Sequence, residues 1–96
     1  MGRTAARIDE NQPEIVKALR QVGCTVQSLA GVGNGCPDLL VGFRGQNMLM
    51  EVKDGDKKPS ARKLTDDQEE WHNDWFGSVF VVESVPEAMI ILRGLK

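Results

Sequence analysis

Two carboxylates and a lysine stand close together in this chain: Asp38, directly after Pro37, and the triplet Glu51-Val52-Lys53 thirteen positions later. Acidic oxygens beside a primary ammonium form the set with which a protein holds a divalent cation against a phosphodiester and stabilises the charge that hydrolysis develops. The spacing puts this set on a hairpin. Asp38-Leu39-Leu40-Val41-Gly42-Phe43 and Met48 to Lys53 are apolar runs around the polar break Arg44-Gly45-Gln46-Asn47, which reads as two strands and a turn. With the four break residues as the loop, Phe43 faces Met48, Leu40 faces Glu51 and Asp38 faces Lys53. Side chains alternate along a strand, so Asp38, Glu51 and Lys53 share one face while Met48, Met50 and Val52 turn to a core on the other.

Converging carboxylates repel, and burying them unpaired costs on the order of several kcal/mol. A divalent cation removes that cost. Hard oxygen ligands with open positions for water and phosphate suit Mg²⁺ or Mn²⁺, and Lys53 would stabilise the developing negative charge or orient the attacking water. The bland alternative makes Asp38 a turn residue and Glu51 and Lys53 an ordinary exposed strand face. Against it stand the apolar residues flanking the acid-x-lysine and the Pro-Asp upstream.

These residues resemble the PD-(D/E)xK nuclease motif. The fuller string Gly35-Cys36-Pro37-Asp38-Leu39-Leu40-Val41, followed by Leu49-Met50-Glu51-Val52-Lys53, is similar to the VRR-NUC branch of that superfamily, and small phage-encoded nucleases of the branch resemble nearly the whole chain. The resemblance implies a restriction-endonuclease-like fold and divalent-metal-dependent phosphodiester cleavage. It also implies action on branched DNA such as Holliday junctions, commonly as a homodimer, with the Val52 carbonyl as a further metal ligand.

Ninety-six residues read as one domain spanning 1–96, large enough for one sheet and a few helices. A wide DNA surface would then come from oligomerisation. No apolar run reaches the roughly eighteen residues of a membrane span, and no charged-then-apolar signal segment opens the chain, so the expectation is a soluble cytoplasmic protein of a bacterial or phage-infected cell. Cys24, Cys36 and a single histidine, His72, lack the spacing of a structural zinc site, and both cysteines read as reduced and buried. The net charge of −2 argues against indiscriminate binding to nucleic acid. Lys53 to Lys63 is a local exception, a polar loop in which Lys57, Lys58, Arg62 and Lys63 are candidate phosphate contacts. Arg3 and Arg7 form a weaker second patch.

Ile8, Gln12, Ile15, Leu19 and Val22 recur at helical spacing and predict an amphipathic first helix ending near Gly23, with Pro13 in its first turn. Gln12 is the polar member of the inward stripe, while Glu10 and Glu14 lie on other faces. In archaeal Holliday-junction resolvases, which share the superfamily motif, a glutamate near the start of the first helix joins the metal site. Counting back from the terminating glycine puts Gln12 there, leaving open whether Gln12, Glu10 or Glu14 completes the site. Cys24 to Leu29 is the first strand, and the glycine-rich Ala30 to Gly35 reads as a flexible approach that brings backbone close to DNA. It matches neither nucleotide-binding glycine motif.

Leu64, Gln68, Trp71 and Trp75 mark a second helix capped by Thr65, with the tryptophans in the core. Gln68 resembles an accessory active-site position of the superfamily, and His72 is a candidate general base whose alternative is a structural or solvent-facing role. Ser78 to Glu83 reads as a buried strand, and Ser84 with Glu87 as a capping box around Pro86 that starts the last helix. The order α-β-β-β-α-β-α is that of an α/β domain with a mixed sheet. The expected function is metal-dependent cleavage of branched DNA by Asp38, Glu51 and Lys53. A flap- or end-directed nuclease of the same family and a non-catalytic DNA-binding module are the alternatives.

Overall fold

The computed structural model describes residues 8–95, so Arg3 and Arg7 lie outside the described residues. The element order is the expected one: α1 (Gln12–Gln21), β1 (Thr25–Ser28), β2 (Leu39–Phe43), β3 (Gln46–Val52), a 3-10 turn at Pro59–Ala61, α2 (Asp66–Asp74), β4 (Val79–Val82) and α3 (Val85–Arg93). The four strands form one sheet in the order β1-β2-β3-β4, antiparallel from β1 to β3 and parallel between β3 and β4. This is the small α/β fold with a mixed sheet and flanking helices that the sequence pattern calls for.

Helix α1 buries Ile15 and Leu19 as its spacing requires, and Gln12 with them. The stripe is shorter than expected, because Ile8 precedes the helix and Val22 leaves it as the C-cap residue, and they are 54% and 48% exposed. Gly23, at φ 102°, takes the left-handed conformation that ends the helix. The Cys24 N–H then bonds the Leu19 carbonyl at 3.0 Å and the Gly23 N–H the Arg20 carbonyl at 3.1 Å, which satisfies two terminal carbonyls.

The β2–β3 hairpin is tighter than the four-residue break suggests. Phe43 pairs with Gln46 and Leu39 with Met50, leaving only Arg44 and Gly45 in the turn at φ 50° and 78°. Two successive left-handed residues match the right-handed twist of the strands. The expected pairings of Phe43 with Met48, of Leu40 with Glu51 and of Asp38 with Lys53 are therefore each displaced by two. The displacement is even, so every residue keeps its face. Met48, Met50 and Val52 join Leu39, Val41, Ile15, Leu19, Val82, Ala88 and Leu92 in the core beneath α1 and α3.

Strand β4 lies at the sheet edge, and Val81 on it is half-exposed, which corrects the expectation of a continuously buried strand. Ser84 accepts from the Glu87 N–H at 3.3 Å, whereas the Glu87 carboxylate accepts from the Glu83 N–H, one residue before the cap. Helix α2 buries no residue. Trp71 is half-buried and Trp75 is 46% exposed, the two rings stacked with centroids 4.6 Å apart. The tryptophans therefore leave the core because α2 lies over only part of its face of the sheet. Of the free cysteines Cys24 is buried and Cys36 half-buried.

Candidate active site

The register that pairs Leu39 with Met50 carries Asp38, one residue before β2, to a position opposite Glu51. Two hydrogen bonds and a buried proline fix this aspartate. The Leu29 N–H donates to its main-chain carbonyl at 2.8 Å, its Oδ2 accepts from the Val52 N–H at 2.7 Å, and Pro37 before it is buried. N–H and C=O of one strand residue point to the same edge, so the Val52 carbonyl is directed toward the same gap. Glu51 lies on the opposite side of β3 from Met50 and Val52, yet it is only 2% exposed, and Lys53 is 9% exposed. The expected acid, acid and lysine are thus gathered at the end of one sheet face, with Glu51 and Lys53 sealed from water and Asp38 half-buried.

Helix α2 supplies the seal. Thr65 caps it by accepting from the Gln68 N–H, while Gln68 reaches back to the Thr65 N–H in a full capping box. This fixes the Gln68 amide, whose Oε1 also accepts from Lys53 Nζ at 2.7 Å and whose Nε2 donates to Glu51 Oε2 at 3.1 Å. Gln68 therefore bridges the acid and the lysine. Four residues further along, His72 presents Nε2 to the other oxygen, Glu51 Oε1, at 3.8 Å. The β1–β2 loop braces the start of the helix. Gly33, Asn34 and Gly35 all have positive φ, and a Cβ on Gly35 would collide with the Asp67 carbonyl. Close packing against α2 explains this glycine.

Burial and the adjacent Asp38, by hydrogen bond and by charge, push the Glu51 carboxyl up to about 9, against the pull of the Lys53 ammonium. Without a cation the two carboxylates meet at neutral pH by keeping a proton on Glu51. Burial and the Lys53 charge lower the His72 imidazole, and burial with the two carboxylates raises the Cys36 thiol. Among the described residues Glu51 Oε1 and His72 Nε2 are both buried without a hydrogen-bond partner. A protonated acid with one unpartnered oxygen beside a second acid is donor chemistry of the kind that a divalent cation satisfies. Among the described residues no three His, Cys, Asp or Glu side chains stand where they could together hold a metal ion. The donors stand as pairs, Asp38 with Glu51 and Glu51 with His72.

Other sequence candidates are placed differently. Gln12 is buried at the start of α1 with its Oε1 unpartnered, and Glu10 and Glu14 are exposed. The acid from this region that acts on the site is Asp9, whose charge contributes to raising Glu51 and whose carboxylate pairs with Lys57 at 3.7 Å. It lies before the helix, where helical periodicity carries no signal. Its neighbour Asn11 is also absent from the sequence reading, although its Nδ2 donates to the main-chain carbonyls of Lys53 at 3.0 Å and Glu83 at 3.1 Å. Asn11 thereby ties the ends of β3 and β4 together beneath the lysine. In the basic loop, Arg62 pairs with Glu83 at 3.0 Å and Lys57 with Asp9, which leaves Lys58 and Lys63 exposed and without an ion pair among the described residues.

No protein-family model matches the chain, and no curated protein matches it. A solved structure described as a VRR_NUC domain does, with 28% sequence identity and a TM-score of 0.65 over 88% of this chain and 92% of that one. This likeness supports a VRR-NUC domain, and the PD-(D/E)xK superfamily is consistent with it.

Proposed function

We propose that this VRR-NUC domain is a divalent-metal-dependent endonuclease that hydrolyses phosphodiester bonds in branched DNA, Holliday junctions first among them, and acts as a homodimer. The likeness to a VRR_NUC domain supports a nuclease, and a nuclease implies DNA as substrate. The observation that carries the catalytic reading is the buried pair Glu51 and Lys53, joined through Gln68, beside a half-buried Asp38 held by the Val52 N–H. A module that only bound DNA would gain nothing by placing two carboxylates against phosphate.

In this reading Asp38, Glu51 and the Val52 carbonyl would hold Mg²⁺ or Mn²⁺, with Asp9 as a further acid nearby. Such an ion supplies charge neutralisation at the phosphate and a more acidic water. Asp38 arrives pre-aimed, because the Val52 N–H occupies Oδ2 and leaves Oδ1 for the site. As a ligand Glu51 would have to be ionised, so the proton it keeps at neutral pH would leave on metal binding. Lys53, held by Gln68 and with its main-chain carbonyl fixed by Asn11, brings its ammonium to the negative charge that builds on the phosphoryl oxygens. Lys58 and Lys63, without an ion pair among the described residues, would meet the DNA backbone, while Lys57 and Arg62 must first leave Asp9 and Glu83. Two copies would set two such sites on opposite strands of a junction, and the chain would act in the cytoplasm where that DNA is.

End-labelled four-way junction, flap and plain duplex, incubated with Mg²⁺, Mn²⁺ or EDTA, test this reading. Paired, metal-dependent incisions in the junction are the expected result. Cleavage of flaps or ends alone would keep the chemistry and replace the substrate, and junction binding without cleavage under any metal would leave only a binding module.

A further inference from the structure

The basic loop that follows β3 is fastened to the body of the protein. The Gly55 N–H donates to the Glu83 main-chain carbonyl at 3.1 Å, and a Cβ on Gly55 would come within 2.7 Å of that oxygen. Arg62 then returns to the same residue, its Nη1 donating to Glu83 Oε1 at 3.0 Å. Both ends of the segment thus close on Glu83, and between them Lys57 reaches Asp9 at 3.7 Å. The Glu83 main chain is itself held, its N–H by the Glu87 carboxylate and its carbonyl by Asn11 Nδ2. Its side chain is therefore a stationary anion at the ends of β3 and β4, beside the strand that carries Lys53.

The hold on Arg62 is incomplete. Glu83 meets the guanidinium through one nitrogen, and among the described residues Arg62 Nε is buried without a hydrogen-bond partner. A guanidinium presents its nitrogens as a fork that a phosphate takes with two oxygens at once, so a phosphate would satisfy what one carboxylate oxygen leaves unmet. DNA cannot reach the fork where it lies, because Glu14, Asp54, Asp56 and Glu87 line the same cleft as Arg62 and Glu83. The guanidinium has to swing outward, and with about a quarter of each side chain exposed the pair sits at the surface where that is open to it. We propose that Glu83 is an autoinhibitory stand-in for phosphate: it holds Arg62 in the DNA-free protein and yields it to a backbone phosphate of the bound DNA, so that DNA binding unlatches the loop beside the site. The proposal rests on the reading of DNA as substrate.

The test is equilibrium binding of the full chain to an uncleaved four-way junction in EDTA, for the wild type, Glu83→Gln, Arg62→Ala and the double variant. Glu83→Gln is expected to bind about threefold tighter than the wild type, the scale of releasing one partly exposed ion pair. The same substitution made on Arg62→Ala is expected to change binding by less than about 1.5-fold, because the two side chains act as one pair. Equal tightening in both backgrounds would mean that Glu83 merely repels DNA and overturns the proposal, as does unchanged or weaker binding by Glu83→Gln. The wild type gives an independent answer if the variants fail to fold: its Arg62 Nε–H signal in NMR spectra is expected to move when the junction saturates the protein, and a signal that stays in place overturns the proposal. Each of these results leaves the DNA reading standing. Wild-type protein that binds neither junction, flap nor duplex at low salt overturns the proposal together with that reading.

Discussion

The two faces of the sheet are built on opposite principles. Beneath α1 and α3, Leu39, Val41, Met48, Met50, Val52 and Val82 pack into one apolar core with almost no exposed surface. On the other face the same strands present Leu40, Leu49, Glu51, Lys53 and Val81, covered in part by α2, a helix that buries none of its own residues. Leu40 and Val81 remain more than one-third exposed there, and Phe76 just beyond the helix is fully exposed. Stability thus resides on the first face. The second spends some of it to hold charged groups out of water within a polar network, the arrangement expected where a protein positions chemistry on a rigid scaffold.

Mutations that separate stability from cleavage put this contrast to the test. Met50→Ala, on the packed face, should lower unfolding free energy by about 2–5 kcal/mol in denaturant titrations, while the folded fraction cleaves at the wild-type rate. A comparable loss of cleavage per folded molecule would mean that the faces are not independent. Gln68→Ala, on the site face, deprives both Glu51 and Lys53 of a partner and should cost about 1–3 kcal/mol, with a fall in cleavage larger than the stability change accounts for.

The acid pair makes the metal-free protein pH-sensitive. Folded Glu51 keeps its proton to about 9, while the unfolded chain releases it near the ordinary 4.5, so the native state binds more protons in between. Stability is therefore fully present below about 4.5 and declines as pH rises toward 9. Glu51→Gln should flatten this slope and stabilise the metal-free protein at pH 8 by about 1–3 kcal/mol, at the expense of metal binding. A variant with the wild-type slope would relocate the buried proton. The smallest effect is expected at the loop. Replacing Lys58 and Lys63 by alanine should leave stability within about 0.5 kcal/mol and reduce the salt dependence of DNA binding by about two counterions, whereas an unchanged salt slope would remove both from the DNA contact.

How much of this was legible in the sequence depends on which physical rule governed each residue. Asp38, Glu51 and Lys53 were assigned to a common face despite a wrong register, because a displacement of two residues preserves alternation. The displacement arose at Arg44, which takes a left-handed conformation that arginine rarely signals. The stripe of α2 correctly turned Gln68 inward. Periodicity reports direction and not depth, however, so it could not tell that Trp71 and Trp75 would lie at the margin of a partly covered face. Asp9 and Asn11 precede the first helix and bond across the fold to β3, β4 and the loop, and contacts that distant leave no trace in local pattern. The bland reading of Glu51 and Lys53 as a solvated strand face fails on their burial.

The central claim is that the acid pair Asp38 and Glu51 and the buried Lys53 perform metal-dependent cleavage on the open face of the sheet. Its most direct test is single-turnover cleavage of the best DNA substrate by the wild type, Lys53→Ala and Asp38→Ala, each first shown to be folded by its thermal transition. Loss of about a hundredfold to a thousandfold in both variants, the scale of removing a group that stabilises transition-state charge, is the predicted result. Folded variants that cleave at the wild-type rate would contradict the account.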